Sequence, residues 1–320
     1  MLNRRYLRIK VLQEVYAFLQ SGSDNIEDGV KTLLTSIDKV YELFIIELSF
    51  LIETSRYAER RLDENKKKQL PTEQDLHPNM RYVNNRVLSR INNNKEFERL
   101  EEKLKINWNS ETEMFRLFYN YLSEQTEFQE YMSSDNDSFK ADQKILLTIV
   151  SDYLVNFDFL RDYCSEKNLY YSEDYYLVLC LIHKFLTDMR ETDTNNDKLP
   201  SIYRNEEGDE EDDREFVKKL FRYTIINDES YSDTISKCTS NWEQERIATM
   251  DMIIVKMGMA EFENFDTIPF KVTINEYIEL SKYFSTPKSK LFVNGLLDRI
   301  LKQMKEMGRV EKKGRGLNEG

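Results

Sequence analysis

The chain has 320 residues, hydrophobic side chains at 40% of its positions and a formal net charge of -12 at pH 7. A chain of this length can bury one large core or two ordinary ones without disulfide or metal cross-links. Its cysteines, Cys164, Cys180 and Cys238, are odd in number and widely spaced. They indicate neither a disulfide framework nor a CxxC metal site, and they favour a cytoplasmic protein. No stretch approaches the roughly 18 apolar residues of a membrane span, so we expect no membrane partner.

Glycine and proline, which interrupt regular structure, are sparse, with 9 Gly and 5 Pro in the whole chain. Long runs carry apolar residues at helical spacing, and we find no long stretch with the alternation of a strand. These patterns predict an all-α protein. In chain order, the first helices are expected over residues 3–20, 25–61, 81–105, 111–132 and within 138–188.

Charge is distributed unevenly along the chain. Residues 1–10 hold four basic side chains and no acidic one, and residues 282–315 hold ten basic against three acidic. The acid is concentrated in the middle, where residues 206–213 hold seven acidic side chains in eight positions. A net negative charge counts against nucleic-acid binding, but local positive potential is what phosphates require. The two basic ends therefore remain candidates for phosphate contact.

Residues 269–301 predict two helices joined by a short turn. Thr273 and Glu276 have the spacing of a capping box, so the first helix is expected to begin there. Thr286, which is followed by a proline, predicts the turn before the second helix. Gly295 in the second helix is expected to let another backbone come close.

The order of residues in this segment resembles a known family. The run PFKVTINEYIELSKYF, followed by SKLFVNGLLDRI, resembles the C-terminal signature of the transcription antitermination factor NusB family, in which VAINEA-IELAK precedes KFVNGVLD. Residues 3–20 resemble the Arg-rich first helix of that family, and residues 216–262 are similar to its two middle helices. The resemblance implies a NusB-like helical bundle with a helical insertion.

The resemblance also implies a division of the chain. Residues 1–22 and 213–307 would form the NusB-like bundle, and residues 23–205 would be the helical insertion. Residues 206–212 would be an acidic linker, because clustered like charges resist burial. Residues 308–320, which lack apolar periodicity, would be a disordered basic tail.

Members of the NusB family pair with the ribosomal protein NusE. Together the two proteins hold the single-stranded boxA element of nascent RNA, so that the RNA polymerase antitermination complex passes terminators in ribosomal RNA operons. The resemblance therefore implies an RNA-binding transcription antitermination factor. By position in the family motifs it implies RNA contacts for Arg4, Arg5, Arg8, Lys288, Ser289, Lys290 and Asn294, and NusE contacts for Tyr16 and Asp251.

Two positions depart from the family pattern. Tyr6 stands where a third consecutive arginine is common, and it could either stack on a base or pack on a neighbouring helix. Lys288 stands where an acidic residue is common, which adds positive charge at the turn between the last two helices.

Catalysis is not expected from this sequence. It contains no Walker-type loop, GxGxxG, HExxH or GxSxG motif, and nine glycines leave little material for phosphate-binding loops. We therefore predict no enzyme activity and no cofactor or metal. The alternative is a helical protein-interaction scaffold without RNA binding. An enzyme module is a weaker alternative, although NusB-like domains also occur fused to RNA methyltransferases.

Overall fold

The computed structural model describes residues 2–203, 212–239 and 248–317. These residues form helices, turns and connections and no strand, which confirms the all-α prediction. In chain order the α-helices are α1 (Arg4–Ser21), α2 (Ile26–Lys66), α3 (Glu73–Leu76), α4 (Arg86–Asn92), α5 (Lys95–Leu104), α6 (Thr112–Ser123), α7 (Thr126–Ser133), α8 (Phe139–Thr148), α9 (Asp158–Lys167), α10 (Leu169–Asp188), α11 (Asp213–Ile226), α12 (Asp228–Cys238), α13 (Thr249–Asn264), α14 (Phe270–Phe284) and α15 (Ser289–Glu306).

The chain divides into two compact units. The first, here called the bundle unit, comprises Met1–Ile37 and Ile202–Gly320, and the second, the middle unit, comprises Asp38–Ser201. The insertion predicted over 23–205 thus begins at an earlier residue than the middle unit, which starts at Asp38. Most of the predicted acidic linker, 206–211, lies outside the described residues. Among the described residues, no helix combines the length and hydropathy required to cross a membrane.

In the bundle unit, α1 begins with a side-chain cap and buries one face. The Asn3 side chain accepts a hydrogen bond of 3.0 Å from the backbone N–H of Tyr6, which satisfies one of the free donors at the helix start. The buried face packs on α11 and α13 through Leu7, Val11, Leu12, Val15 and Phe18. These apolar residues recur at helical spacing, so one face of α1 forms its contact with the core.

The start of α2 is held against α1 and α11 at a glycine. A Cβ atom on Gly29 would lie 2.5 Å from Cζ of Phe221 and 2.9 Å from Cδ2 of Phe18. These two rings meet edge to face with centroids 5.5 Å apart. Only a residue without a side chain leaves room for this approach, so Gly29 fixes how closely α2 packs here.

Helix α13 is the centre of the bundle unit and packs against α1, α11, α14 and α15. Its Gly258 permits a close approach of α15, since a Cβ atom there would lie 2.8 Å from Cδ2 of Leu297. Gly295 had been expected to serve this purpose, but it is exposed and has no atom within 4 Å of where its Cβ would be. The glycine at the close contact between α13 and α15 is therefore Gly258, which faces Leu297 and not Gly295.

The middle unit contains α3 to α10 and the rest of α2 around an aromatic core. The Phe50 ring centroid lies 5.0 Å from that of Phe115, 5.2 Å from that of Phe118 and 5.9 Å from that of Trp108. The indole N–H of Trp108 donates to the Ser49 hydroxyl at 2.9 Å, so the one polar atom of this ring is satisfied inside the core. A helix of 41 residues, α2, supplies Phe50 and Ser49.

The predicted start of α14 is wrong. The helix begins at Phe270, three residues before Thr273, and the Thr273 hydroxyl donates to a carboxylate of α13, Glu261, at 2.8 Å. Thr273 therefore lies inside α14 and does not cap its start. The next helix also begins later than Thr286, at Ser289, and the two hydroxyls lie 2.8 Å apart in the turn.

The segment after α15 differs from the predicted disordered tail over its described part, residues 308–317. The Lys312 side chain is buried, and its ammonium group donates to the carbonyl of Phe265 at 2.6 Å and lies 4.5 Å from the Phe270 ring centroid. Arg309 pairs with Glu263 at 2.6 Å. Arg309 and Lys312 of this segment therefore contact an acidic and a carbonyl group at the end of α13 and an aromatic ring at the start of α14.

Candidate nucleic-acid and partner interface

The arginines of α1 occupy different environments. Arg8 is 2% exposed and forms two hydrogen bonds with Glu261 of α13, at 2.8 and 2.7 Å. Its guanidinium also lies 5.1 Å from the ring centroid of Phe216 on α11. Helices α1, α11 and α13 thus meet at one buried cation.

Glu261 is fully buried and is the hub of a polar network. Besides Arg8, it accepts hydrogen bonds from the hydroxyls of Thr273, at 2.8 Å, and Tyr277, at 3.1 Å. Burial alone would raise the pKa of Glu261, but the charge and hydrogen bonds of Arg8 lower it. The pKa of Tyr277 is raised by burial and by the Glu261 charge. The carboxylate is therefore held ionised inside the fold.

This arrangement corrects the prediction that Arg8 contacts RNA phosphates. A phosphate would have to displace Glu261 from a site that water does not reach, leaving a buried carboxylate unpaired. Such a rearrangement costs several kcal/mol, about 3–5 for breaking a buried pair. Arg8 is accordingly a structural residue that joins α1 to α13.

The other two arginines are accessible. Arg5, with 43% of its side chain exposed, donates two hydrogen bonds to Glu276 of α14, at 2.9 and 2.8 Å. Arg4, with 31% exposed, lies 3.3 Å from a carboxylate oxygen of Asp213 and 5.0 Å from the Phe216 ring centroid. Both arginines can meet a ligand from solvent while they keep or exchange these acidic partners.

The turn between α14 and α15 separates two exposed lysines from a buried serine. Lys288 and Lys290 are exposed, and within the ranges that the structure describes neither forms an ion pair. Ser289 between them is 2% exposed, and its hydroxyl donates to Asp251 of α13 at 2.7 Å. The same oxygen accepts the backbone N–H of Thr286 at 3.2 Å. The turn is thus fixed from within and presents both lysines outward.

Two predicted roles change because of this bond. Ser289 was predicted to contact RNA and Asp251 to contact NusE, yet the two residues bind each other inside the bundle unit. Asp251 is 5% exposed and lies in the first turn of α13, where a carboxylate interacts favourably with the helix dipole. Neither side chain is accessible for the contact predicted for it.

Of the other predicted site residues, Tyr16 is 40% exposed on α1, and Asn294 of α15 is half-buried. Tyr6, for which stacking and packing were both considered, is half-buried as well. The structure therefore keeps Tyr16 available for a partner and Lys288 and Lys290 available for an anion. No cluster of three metal-ligating side chains occurs among the residues described.

Sequence reasoning missed Glu276 and Tyr283, both on α14. Glu276 binds Arg5, and Tyr283 interacts electrostatically with the same guanidinium. At 1.5 Å per residue, about 12 Å of α14 separates Glu276 from the last helical residue, Phe284. Arg5 and the lysines of the turn hence flank the second half of α14. In the sequence, an aromatic residue directly after Lys282 and shortly before Lys288 was a signal that could have drawn attention to this surface.

Comparisons with known proteins agree on one family. A model of the NusB family matches residues 180–302. Transcription antitermination protein NusB of Salinibacter ruber (strain DSM 13855 / M31) is 42% identical over 104 residues, which are 32% of this chain and 65% of the relative. The protein of the same name from Chloroherpeton thalassium (strain ATCC 35110 / GB-78) is 39% identical over 104 residues, 32% of this chain and 49% of the relative.

The similarity covers only part of this chain and only part of each relative. The chain spans about half to two thirds of the length of these relatives, and most of the middle unit lies outside the family match. The match includes the turn with Lys288 and Lys290 but not α1, so the family roles of Arg4, Arg5 and Tyr16 stay predictions. No solved structure matches the chain significantly.

Proposed function

We propose, since this chain carries a NusB family domain at residues 180–302, that it is a non-catalytic transcription antitermination factor that binds single-stranded RNA of the boxA type. In this proposal it acts with the ribosomal protein NusE in the RNA polymerase antitermination complex on ribosomal RNA operons. The observation that carries the proposal is the family match, which extends through the exposed Lys288–Lys290 turn.

The charges of the bundle unit support an RNA contact despite the net charge of -12. Lys288 and Lys290 need not release an acidic partner before they bind a phosphate, since they form no ion pair in the described part of the chain. Arg5 has such a partner in Glu276, so its gain from a phosphate is smaller. The lysines are therefore proposed as the main phosphate contacts, and Arg5 and Arg4 as secondary ones.

Equilibrium binding of the full chain to a boxA-type single strand, with and without NusE, tests this function. A scrambled strand of the same composition is the comparison. We expect tighter binding to the boxA-type strand and a further gain when NusE is present. Equal affinity for both strands in both conditions would contradict the proposal.

The lysine contacts are tested by the salt dependence of binding. Changing Lys288 and Lys290 together to alanine removes two phosphate contacts, each worth about 0.7 in the slope of log affinity against log salt for a single strand. The slope should fall by about 1.4. Changing Lys67 and Lys103, which are exposed on the middle unit, is the matched control and should leave the slope unchanged. Equal slopes for the parent and the Lys288–Lys290 variant would remove this turn from the RNA site.

Tyr16 is proposed as the NusE contact that remains available, because Asp251 is buried. Truncating an interface residue costs more than about 1 kcal/mol only where it lies at a hot spot. Tyr16→Ala should therefore weaken NusE binding measured by calorimetry, with helicity unchanged. If the affinity for NusE stays at the parent value, Tyr16 is not at the interface.

A protein-interaction scaffold without RNA binding is the second candidate function. It is favoured by large apolar side chains that the middle unit leaves in solvent, namely Leu70 at 89% exposure, Leu169 at 78% and Phe159 at 59%. Exposed apolar side chains occur on many proteins, and only contiguous patches indicate a partner. Absence of any preference for the boxA-type strand, with or without NusE, would favour this candidate.

A further inference from the structure

Tyr283 is the most exposed aromatic side chain in the described part of the chain, with 76% of its surface accessible. It lies in the last turn of α14, next to the final helical residue, Phe284. An aromatic ring in this position adds little to the core, because its apolar surface stays in water. The ring is therefore free to gain that burial from a ligand.

Tyr283 shares one side of α14 with a compensated set of charges. Glu276, Glu279 and Tyr283 follow one another at spacings of three and four residues, so they lie on the same side of α14. Arg5 of α1 binds Glu276 and interacts electrostatically with Glu279 and Tyr283. Lys282 pairs with Glu279 and lowers its pKa. Both carboxylates near the ring are thus neutralised by a cation.

Two exposed lysines follow the ring in the chain. The hydroxyls of Ser285 and Ser289 lie 2.9 Å apart, which closes the turn tightly after α14. Lys288 and Lys290 are exposed on this turn, a few residues beyond Tyr283. Along the chain, Tyr283 thus follows Glu276, which binds Arg5, and precedes two exposed lysines that have no ion pair among the described residues.

We propose that Tyr283 is a stacking platform for one unpaired base of single-stranded RNA, while Lys288 and Lys290 contact the adjoining phosphates. The inference rests on the proposed function and adds a base contact to its phosphate contacts. Positive charge around an exposed ring matches a strand that carries a phosphate at every nucleotide and offers flat bases between them. Leu291, which follows Lys290, is also exposed, at 72%, but two isolated apolar side chains beside two lysines favour a strand of phosphates and bases over a protein segment, which requires a contiguous apolar patch.

Stacking and phosphate contacts differ in how they respond to salt. Loss of a stacked base typically costs about 1–3 kcal/mol, or about a 5- to 140-fold loss of affinity at 1.4 kcal/mol per factor of ten. Tyr283→Ala should therefore weaken binding to the boxA-type strand by at least about 5-fold. The salt slope should stay at the parent value, because no phosphate contact is removed. Tyr283→Phe keeps the ring and should bind within about 2-fold of the parent, well inside the range expected for a lost stack.

The base itself can be located from the RNA side with the parent protein. An abasic nucleotide scanned along the strand should reduce affinity sharply at one position, and at that position Tyr283→Ala should cause no further loss. A fluorescent 2-aminopurine placed there should be quenched by the parent and by Tyr283→Phe but not by Tyr283→Ala. Tyr176→Ala is the matched control, because Tyr176 is 49% exposed and accepts a hydrogen bond of 3.0 Å from Arg161 in the middle unit.

The outcomes separate this inference from the function on which it rests. If the parent does not bind the boxA-type strand, the proposed function and the stacking role both fail. If the parent binds but Tyr283→Ala binds equally well, the function stands and the stacking role is wrong. Equal losses for Tyr283→Phe and Tyr283→Ala would assign the effect to the hydroxyl and would also overturn stacking. An equal loss for Tyr176→Ala would show a non-specific effect and overturn it as well.

Discussion

Glu261 in the bundle unit and Glu47 in the middle unit are both fully buried, yet only Glu261 has hydrogen-bond partners. Arg8, Thr273 and Tyr277 surround the first carboxylate and keep it ionised. Both oxygens of Glu47 lack a hydrogen bond to any described residue. Burial is the cause that raises the pKa of Glu47 well above its ordinary value.

The two helical cores place the same type of side chain, a buried glutamate, in different electrostatic environments. The bundle unit provides a cation and two hydroxyls, so that the charge of Glu261 links α1, α13 and α14 into one arrangement. In the middle unit, burial and then the Glu47 charge raise the pKa of Cys164 and of Tyr175, and neither of these groups is a cation. Burial without a cation thus favours the protonated form of Glu47, which is a costly polar group in an apolar core.

The largest expected effect comes from removing the cation of the paired site. Arg8→Met keeps an apolar stem of similar length but leaves Glu261 buried without its charge partner. Breaking a buried ion pair in this way costs about 3–5 kcal/mol, so the free energy of unfolding should fall by that amount. Hydrogen exchange measured by mass spectrometry should show faster exchange in α13 and α14, with α6 and α8 as internal controls. Unchanged exchange in α13 would show that the pair does not stabilise the bundle unit.

The pH dependence of the two units should have opposite signs. The folded pKa of Glu261 lies below its unfolded value, so the stability it contributes is present above about pH 4.5 and is lost as the pH falls through the folded pKa. The folded pKa of Glu47 lies above its unfolded value, so its contribution is complete below about pH 4.5 and is lost as the pH rises through the folded pKa.

A variant of the unpaired carboxyl tests the second half of this comparison with a smaller expected effect. Glu47→Leu replaces it with an apolar side chain and should raise the free energy of unfolding by about 1–3 kcal/mol, the cost of an unsatisfied buried polar group. In urea unfolding, the difference in the free energy of unfolding between Glu47→Leu and the parent should be larger at about pH 8 than at about pH 5. The reason is that only the parent has a carboxyl at position 47, and it loses stability as the pH rises. Glu47→Gln, which keeps the polar atoms, should remove the pH dependence with little gain. A destabilised Glu47→Leu protein would indicate that the carboxyl has a partner in solution.

The helices could be predicted from the sequence because their apolar stripes repeat at helical spacing. That pattern correctly indicated the all-α class and the buried face of α1. The same pattern indicated that Arg8 is buried, because it lies three and four residues before Val11 and Leu12 and so falls on the buried face of the helix. The family pattern grouped Arg8 with Arg4 and Arg5, and the structure separates them.

The partners of these residues could not be predicted, because they are set by tertiary packing. Glu261 lies 253 residues from Arg8 in the chain, and no local spacing relates them. The same is true of Ser289 and Asp251, which are 38 residues apart and each looked like a surface residue of its own helix. The capping prediction for Thr273 was wrong for a related reason. Its hydroxyl donates to Glu261, a carboxylate on another helix, and does not cap its own helix.

The smallest expected effect sharpens the contrast between buried and exposed arginines. Arg5 pairs with Glu276 in the same two-pronged geometry as Arg8 with Glu261, but in contact with solvent, and the pair raises the pKa of Arg5 mainly through its hydrogen bond. Exposed pairs contribute less than about 1 kcal/mol, so Arg5→Ala should lower the free energy of unfolding by no more than that. High salt should reduce the effect further, because it screens exposed charges. Arg222→Ala, which breaks a similar exposed pair with Glu27, is the control and should behave alike. If Arg5→Ala cost as much as Arg8→Met, geometry rather than burial would decide the strength of these pairs.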